Sequence, residues 1–342
     1  MTEPAAASDA RTWPAWLDGS LLKLLAMRES LPHALLLRGH RGIGKGWLAD
    51  RFAQSLLCEA PGPDGSACQR CDACGWYASG NHPDFRRVSP LTEEEGGSRS
   101  ERARREIKVD QIRALAGFVG IGAHRAGHKL VLIEPAESMN AIAANALLKT
   151  LEEPAGDTVF LLVCGNAGAL PATVRSRCVP FTVASPPPAQ ALAWLRQALP
   201  GEESMLAQWL ALADGAPLRA LAFADPAAAS AYRLVVLAGD QIPENSVLKT
   251  AEGFATTPPT LWVPFLQSWI GDLGRVSAGA APVRFPAQAP RLRTLGRLTS
   301  LPRIGEMAGW LNRQTPILEH PLNARLFAEE VWLRYESMFA AA

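Results

Sequence analysis

Eight residues, Gly39-His40-Arg41-Gly42-Ile43-Gly44-Lys45-Gly46, have the spacing of a phosphate cradle. The pattern G-x-x-x-x-G-K wraps backbone N–H groups around a polyphosphate and sets a lysine ammonium against its outer oxygens. The next residue should be serine or threonine, whose hydroxyl ligates Mg²⁺. Gly46 stands there instead and has no side chain. Gly39, Gly44 and Lys45 thus keep the means to hold an anion, while Gly46 removes the metal hydroxyl. A glycine-rich turn that merely joins strand to helix would have the same local spelling.

Hydrolysis also needs an acidic pair at the end of a buried strand. One carboxylate orients the metal and its neighbour activates water. Leu130-Val131-Leu132-Ile133 is such a strand, and Glu134-Pro135 follows it. Glu134 offers one carboxylate, and Pro135 cannot act as a base. Two independent losses, at Gly46 and at Pro135, both strike hydrolysis and leave folding untouched.

Cys58, Cys68, Cys71 and Cys74 form a C-x9-C-x2-C-x2-C cluster, four of the six cysteines in the chain. In a reducing compartment such a cluster points to a metal site more than to a disulfide framework. Four thiolates suit tetrahedral Zn²⁺ and leave no open position for catalysis. Pro61, Gly62, Pro63, Asp64 and Gly65 are turn formers that let the chain fold back on one point. An iron–sulfur cluster satisfies the same spacing, and four free or redox-active thiols are the bland alternative.

The elements that must position these groups follow from apolar patterning. Residues 33–37 form a short apolar strand, and residues 46–57 have helical spacing. A strand, a glycine-rich loop and a helix N-terminus are what a phosphate cradle requires. Residues 85–88 are a weak strand and 129–133 a strong one. Residues 158–164 and 179–183 are further strands. Residues 109–119 read as a helix with Ile112, Leu115, Ala116 and Val119 on one stripe. Residues 140–153 read as a helix with Ala144, Leu147, Leu148 and Leu151 at i, i+3, i+4 and i+7, stopped by Pro154. Apolar strands alternating with helices predict a parallel sheet covered on both faces. Residues 91–106 break the rhythm with mixed Glu and Arg; they read as a solvated loop, a DNA-facing basic loop being the alternative.

Ser185-Pro186-Pro187-Pro188 is a stiff linker and a domain boundary. Three domains are expected: an α/β domain over 1–184 with the cysteine module at 58–74, a small helical domain over 185–226, and a helical domain over 227–342. The tryptophans and leucines of the last are expected in its core or in a subunit interface.

The chain has 342 residues, 48% of them apolar and 20% charged, with a formal net charge of +1. Such a composition forms a real core and does not suit disorder. It produces no global field toward nucleic acid or an acidic membrane. With neither a basic stripe nor aromatic interleaving, a stand-alone zinc-dependent DNA-binding module is disfavoured. No basic-then-apolar segment opens the chain and no apolar run reaches membrane-spanning length, so a cytoplasmic protein without a membrane partner is expected.

Longer motifs carry a resemblance. Asn145-Ala146-Leu147-Leu148-Lys149-Thr150-Leu151-Glu152-Glu153-Pro154, followed by Ser176-Arg177-Cys178, strongly resembles bacterial clamp-loader subunits of the AAA+ class. The resemblance covers about residues 21–222 and continues more weakly to Asn323-Ala324-Arg325-Leu326-Phe327-Ala328-Glu329-Glu330. It implies an AAA+ P-loop NTPase-like parallel-sheet domain carrying one structural Zn²⁺, then a helical lid and an all-α collar. It implies partners too: the gamma/tau and delta subunits in a hetero-pentameric ring, the sliding clamp, and primer-template DNA reached through the complex. By position, Gly39, Gly44 and Lys45 match the phosphate loop and Gly46 departs from it. Glu134 and Pro135 both depart from the Asp-Glu pair, and Gly165 departs from a polar sensor. Arg219 matches the lid arginine that reaches nucleotide phosphates. Arg177 matches the finger given in trans to a neighbour's ATP site. Its bland alternative is an arginine paired with a local carboxylate or a helix end. The decayed motifs imply a subunit without ATPase activity of its own, enzymatic only as part of the DNA polymerase III holoenzyme. A catalytically active gamma/tau-like subunit is the alternative.

Overall fold

The computed structural model describes residues 13–91, 106–125, 127–154, 156–241, 247–318 and 323–340. Most of the mixed-charge loop expected at 91–106 therefore lies outside the described residues. The chain divides into two compact units, Met1–Gln190 and Ala191–Ala342.

The first unit is built on five parallel strands: β1 (Ala34–Arg38), β2 (Phe85–Val88), β3 (Lys129–Ile133), β4 (Thr158–Cys164) and β5 (Val179–Thr182). Their spatial order is β2-β3-β4-β1-β5. Parallel neighbours require crossovers, and helices supply them. These are α2 (Lys45–Leu57), α3 (Asp72–Ala78), α4 (Val109–Val119), α5 (Ala141–Glu152) and the short α6 (Ala172–Arg175), while α1 (Asp18–Ala26) precedes β1. This is the α/β parallel-sheet architecture that the sequence predicts, and every expected strand is present to within one residue at either end. Every residue of β3 and β4 is buried, as expected for strands covered on both faces.

Two details differ from the apolar patterning. β5 is an edge strand, so Val179 is exposed where a buried residue was expected; the buried Val183 lies just beyond it and donates its N–H to the Arg38 carbonyl (2.9 Å). On α4 the core-facing stripe is Ile112, Leu115 and Val119. Ala116 is exposed, and Phe118 packs at the margin instead. Helix α5 starts where Asn140 accepts a hydrogen bond from the Ala143 N–H (2.9 Å), a side-chain N-cap.

The second unit is all helical among its described residues. Helix α7 (Pro188–Ala198) straddles the division, followed by α8 (Glu203–Leu212), α9 (Pro217–Ala222), α10 (Pro226–Gln241), α11 (Val247–Phe254), α12 (Pro259–Ser277), α13 (Ala289–Gly296), α14 (Leu301–Gln314) and α15 (Ala324–Ser337). Its core is aromatic. Phe254, Trp262, Trp269, Trp332 and Tyr335 are buried, and Trp269 Nε1 donates to the Tyr335 hydroxyl (2.8 Å). A second cluster of Trp209, Phe223, Tyr232, Phe265 and Phe285 ties α8 and α9 to α10 and α12. Asp272, fully buried, accepts from the N–H groups of Val283, Arg284 and Phe285 and so pins the proline-rich turn (3.0, 2.7 and 2.7 Å).

Helices α10 and α12 meet at Gly239, where a Cβ would lie 2.7 Å from the buried Trp269 ring. Overpacking a rigid core costs about 1–3 kcal/mol. Gly239→Ala is therefore expected to lower stability by that amount in denaturant titration. An unchanged midpoint would show that the ring has room to shift.

Candidate functional site

The carboxyl ends of the parallel strands converge on one region, the usual place for a ligand in an open α/β sheet. The phosphate loop leaves β1 and enters α2 there. At Gly39 a Cβ would sit 2.6 Å from the Val183 carbonyl oxygen, so no side chain fits. Gly44 adopts φ +92°, the left-handed region that favours glycine, immediately before the first turn of α2. Lys45 is buried, and its Nζ donates to the His40 carbonyl of the same loop (2.6 Å).

Gly46 lies on the first turn of α2, against Glu134 at the end of β3. A Cβ built on Gly46 would lie 2.9 Å from Glu134 Cδ and closer still to its Oε1. The carboxylate thus fills the space that a hydroxyl side chain would need. Glu134 is held in turn: Arg87 Nη1 donates to its Oε2 (3.2 Å), and the same guanidinium pairs with Asp50 of α2. Asp50 also accepts from the Tyr77 hydroxyl (2.8 Å). Burial pushes the Asp50 carboxyl above its ordinary value, and the adjacent Arg87 charge opposes that shift. Burial, together with Asp50, raises the Tyr77 phenol.

A second ion pair lies beside Gly165. A side chain at Gly165, one residue past β4, would run into Arg41 of the phosphate loop, whose Nε would be 3.0 Å from a Cβ there. Arg41 pairs with Glu137 (3.1 Å), and Glu137 Oε1 also accepts the Gly165 N–H (3.0 Å). Cys164 beside it is pushed up to about 12, by burial first and then by Glu137.

The structure places Gly39, Gly44, Lys45 and Gly46 on one loop and the start of α2, and brings Glu134 against Gly46. It adds Arg41, Asp50, Arg87 and Glu137, which motif reasoning misses. Arg41 lies inside the cradle motif and Glu137 three residues past Glu134, so both were within reach of the sequence. Arg87 had no such signal: it stands on a weak strand, opposite Leu132 in the β2–β3 register.

Arg177 stands apart from these groups, just ahead of β5. Its Nε donates to Glu152 of α5 (2.8 Å), a second nitrogen of the guanidinium meets the same carboxylate, and Nη1 donates to the Thr173 carbonyl near the end of α6 (2.9 Å). Arg219 belongs to the second unit, on α9, where it faces Asp214 (3.5 Å).

Cys58, Cys68, Cys71 and Cys74 form a separate centre, between the end of α2 and the start of α3. Their sulfurs all lie within 4.8 Å of one another, with Cys58 and Cys71 4.0 Å apart. Zn–S bonds of about 2.3 Å in a tetrahedron set sulfurs about 3.8 Å apart, so four thiolates at this spacing fit a metal ion. Cys58 and Cys74 are buried, while Cys68 and Cys71 are partly exposed. The Arg70 and Cys71 N–H groups bring the Cys68 thiol down to about 6. Burial, with the Cys71 and Cys58 thiols, pushes Cys74 up to about 12. Burial thus raises the thiols of the two buried cysteines, Cys58 and Cys74.

No described helix is long and apolar enough to cross a membrane. The sequence model of the family described as DNA polymerase III, delta subunit, matches residues 20–187. DNA polymerase III subunit delta' of Pseudomonas aeruginosa is 46% identical over 202 residues, 59% of this chain and 58% of that protein. Subunit delta' of Escherichia coli is 34% identical over 212 residues, 61% and 60% of the two chains. Subunit gamma of Buchnera aphidicola from Schizaphis graminum is 34% identical over 149 residues, 44% and 37% of the two. The alignments to the two delta' subunits thus span about three-fifths of those relatives. Over residues 20–187, just under half of its length, the chain is similar to the family described as DNA polymerase III, delta subunit.

Proposed function

We propose that this protein is a delta'-type subunit of the bacterial clamp loader, a cytoplasmic NTPase-shaped component that does not hydrolyse nucleotide itself. One observation carries the non-hydrolytic part of this reading. Both positions from which a catalytic side chain is missing, Gly46 and Gly165, are filled by ion pairs internal to the chain, through Glu134 and Arg41. Pro135 further denies the site a water-activating carboxylate.

In this reading the three-domain division at 184/185 and 226/227 corresponds to an NTPase-like domain, a lid carrying Arg219, and a collar. The partners are gamma/tau-type and delta-type subunits of a five-membered ring, which loads a sliding clamp onto primed DNA. The four cysteines hold one structural Zn²⁺. Arg177 serves the ATP site of the neighbouring subunit.

The isolated protein is expected to show no ATP turnover above background in a steady-state assay. Turnover that needs Mg²⁺ and disappears in Lys45→Ala would instead favour an active gamma-type subunit. A ring reconstituted without this chain is expected to lose clamp loading, and full loading in its absence would overturn the clamp-loader reading.

A further inference from the structure

Asp50, Arg87 and Glu134 come from three separate elements, α2, β2 and the end of β3, and meet at one guanidinium. The carboxylate side chains are only 18% and 17% exposed and that of Arg87 28%, so all three charges are largely withdrawn from water. Two such carboxylates close together repel each other and need a cation between them. In a working phosphate site that cation is a metal, ligated in part by the hydroxyl that Gly46 lacks. Here the Glu134 carboxylate lies over Gly46 itself, and its charge is met from the side by Arg87. An arginine stays charged at every accessible pH and spans two carboxylates with its planar fork. Tyr77 supplies a further hydrogen bond to Asp50, which fixes the cradle from the cysteine-bearing segment.

We propose that the Arg87 guanidinium is a built-in replacement for the divalent cation of this site, held between Asp50 and Glu134, so that the site has no use for Mg²⁺. The inference deepens the non-hydrolytic reading and rests on it for the identity of Gly46 and Glu134 as former metal positions. It also explains why the loss of the metal hydroxyl does not leave a buried, unbalanced carboxylate. Replacing Gly46 with serine alone does not rebuild a metal site, because the carboxylate and its guanidinium already occupy the position.

The test is thermal unfolding of the full zinc-loaded chain, with and without millimolar MgCl₂ in chelator-free buffer. The wild-type Tm is expected not to respond to Mg²⁺. Arg87→Ala is expected to lower Tm by several degrees and to regain part of the loss in Mg²⁺, which takes up the vacated charge. The double variant Arg87→Ala/Glu134→Gln removes one of the repelling carboxylates. It is expected to unfold at a higher temperature than Arg87→Ala without Mg²⁺ and to have lost the Mg²⁺ response. The proposal is overturned if wild type is itself stabilised by Mg²⁺, if R87A matches wild type, or if R87A falls and ignores Mg²⁺. If R87A does not fold, the double variant decides by the same criterion: its folding supports the proposal and its failure to fold overturns it. None of these outcomes touches clamp loading, so the subunit assignment stands or falls separately.

Discussion

Arg177→Ala in an assembled loader is expected to reduce ATP turnover stimulated by DNA and clamp, with the loss confined to the site of the adjoining subunit. A guanidinium supplied from a neighbour stabilises charge on the transferring γ-phosphoryl group, and such a finger is worth roughly 10³–10⁵ in rate. The geometry of Arg177 makes the test clean. Its partners, Glu152 and the Thr173 carbonyl, lie at the surface, with Glu152 50% exposed. Exposed ion pairs contribute about 0–1 kcal/mol, so the substitution should leave folding, metal content and ring assembly intact. Arg177→Lys should not rescue turnover, because lysine lacks the fork that spans two phosphate oxygens. In the proposed role the guanidinium would first have to leave the Glu152 carboxylate to reach a neighbour. An Arg177→Ala ring that assembles and hydrolyses ATP at the normal rate would reduce Arg177 to a local surface pair.

The second large effect is expected at the cysteine centre. Elemental analysis should find one zinc per chain, and Cys71→Ser should lose it. Structural zinc contributes roughly 10–16 kcal/mol of apparent binding energy in small modules, which becomes local folding energy. Removing one thiolate should therefore loosen residues 58–77, read as faster amide exchange there, while β1, β3 and β4 remain protected. The loosened segment includes α3, which carries Tyr77, so protection around Asp50 of α2 should fall as well. Iron in place of zinc, or no metal, would reject the zinc assignment. Unfolding of the whole sheet in Cys71→Ser would show that the module is not an independent appendage.

Much of the first unit is legible in sequence because its signals are local. Buried parallel strands are continuous apolar runs, and β2, β3 and β4 match the predicted spans residue for residue. The cradle motif and the cysteine spacing each lie within one short stretch of chain, so their residues meet for local reasons. Where patterning misled, the cause was the position of an element in the sheet. Nothing in the spelling of residues 179–183 says that this strand takes an edge, and α4 turns Phe118 toward the core margin in place of Ala116.

By itself, then, the sequence determined the sheet, the helices that cross it, the glycine-rich loop of residues 39–46, and the four-thiol cluster. It could not say which charges lie against Gly46 and Gly165. Arg87 reaches Glu134 across 47 residues and Asp50 across 37, while Arg41 reaches Glu137 across 96. Which charges meet over such separations depends on strand order and on the face each side chain takes. Only the packed sheet, with β2 at one edge and β1 between β4 and β5, decides that. The same holds for Arg177, whose motif is local but whose resting partner on α5 is not. Local chemistry survives in a short pattern of residues, whereas the pairing of buried charges is set by tertiary packing, because an ion withdrawn from water must find its counter-ion wherever the fold has placed it.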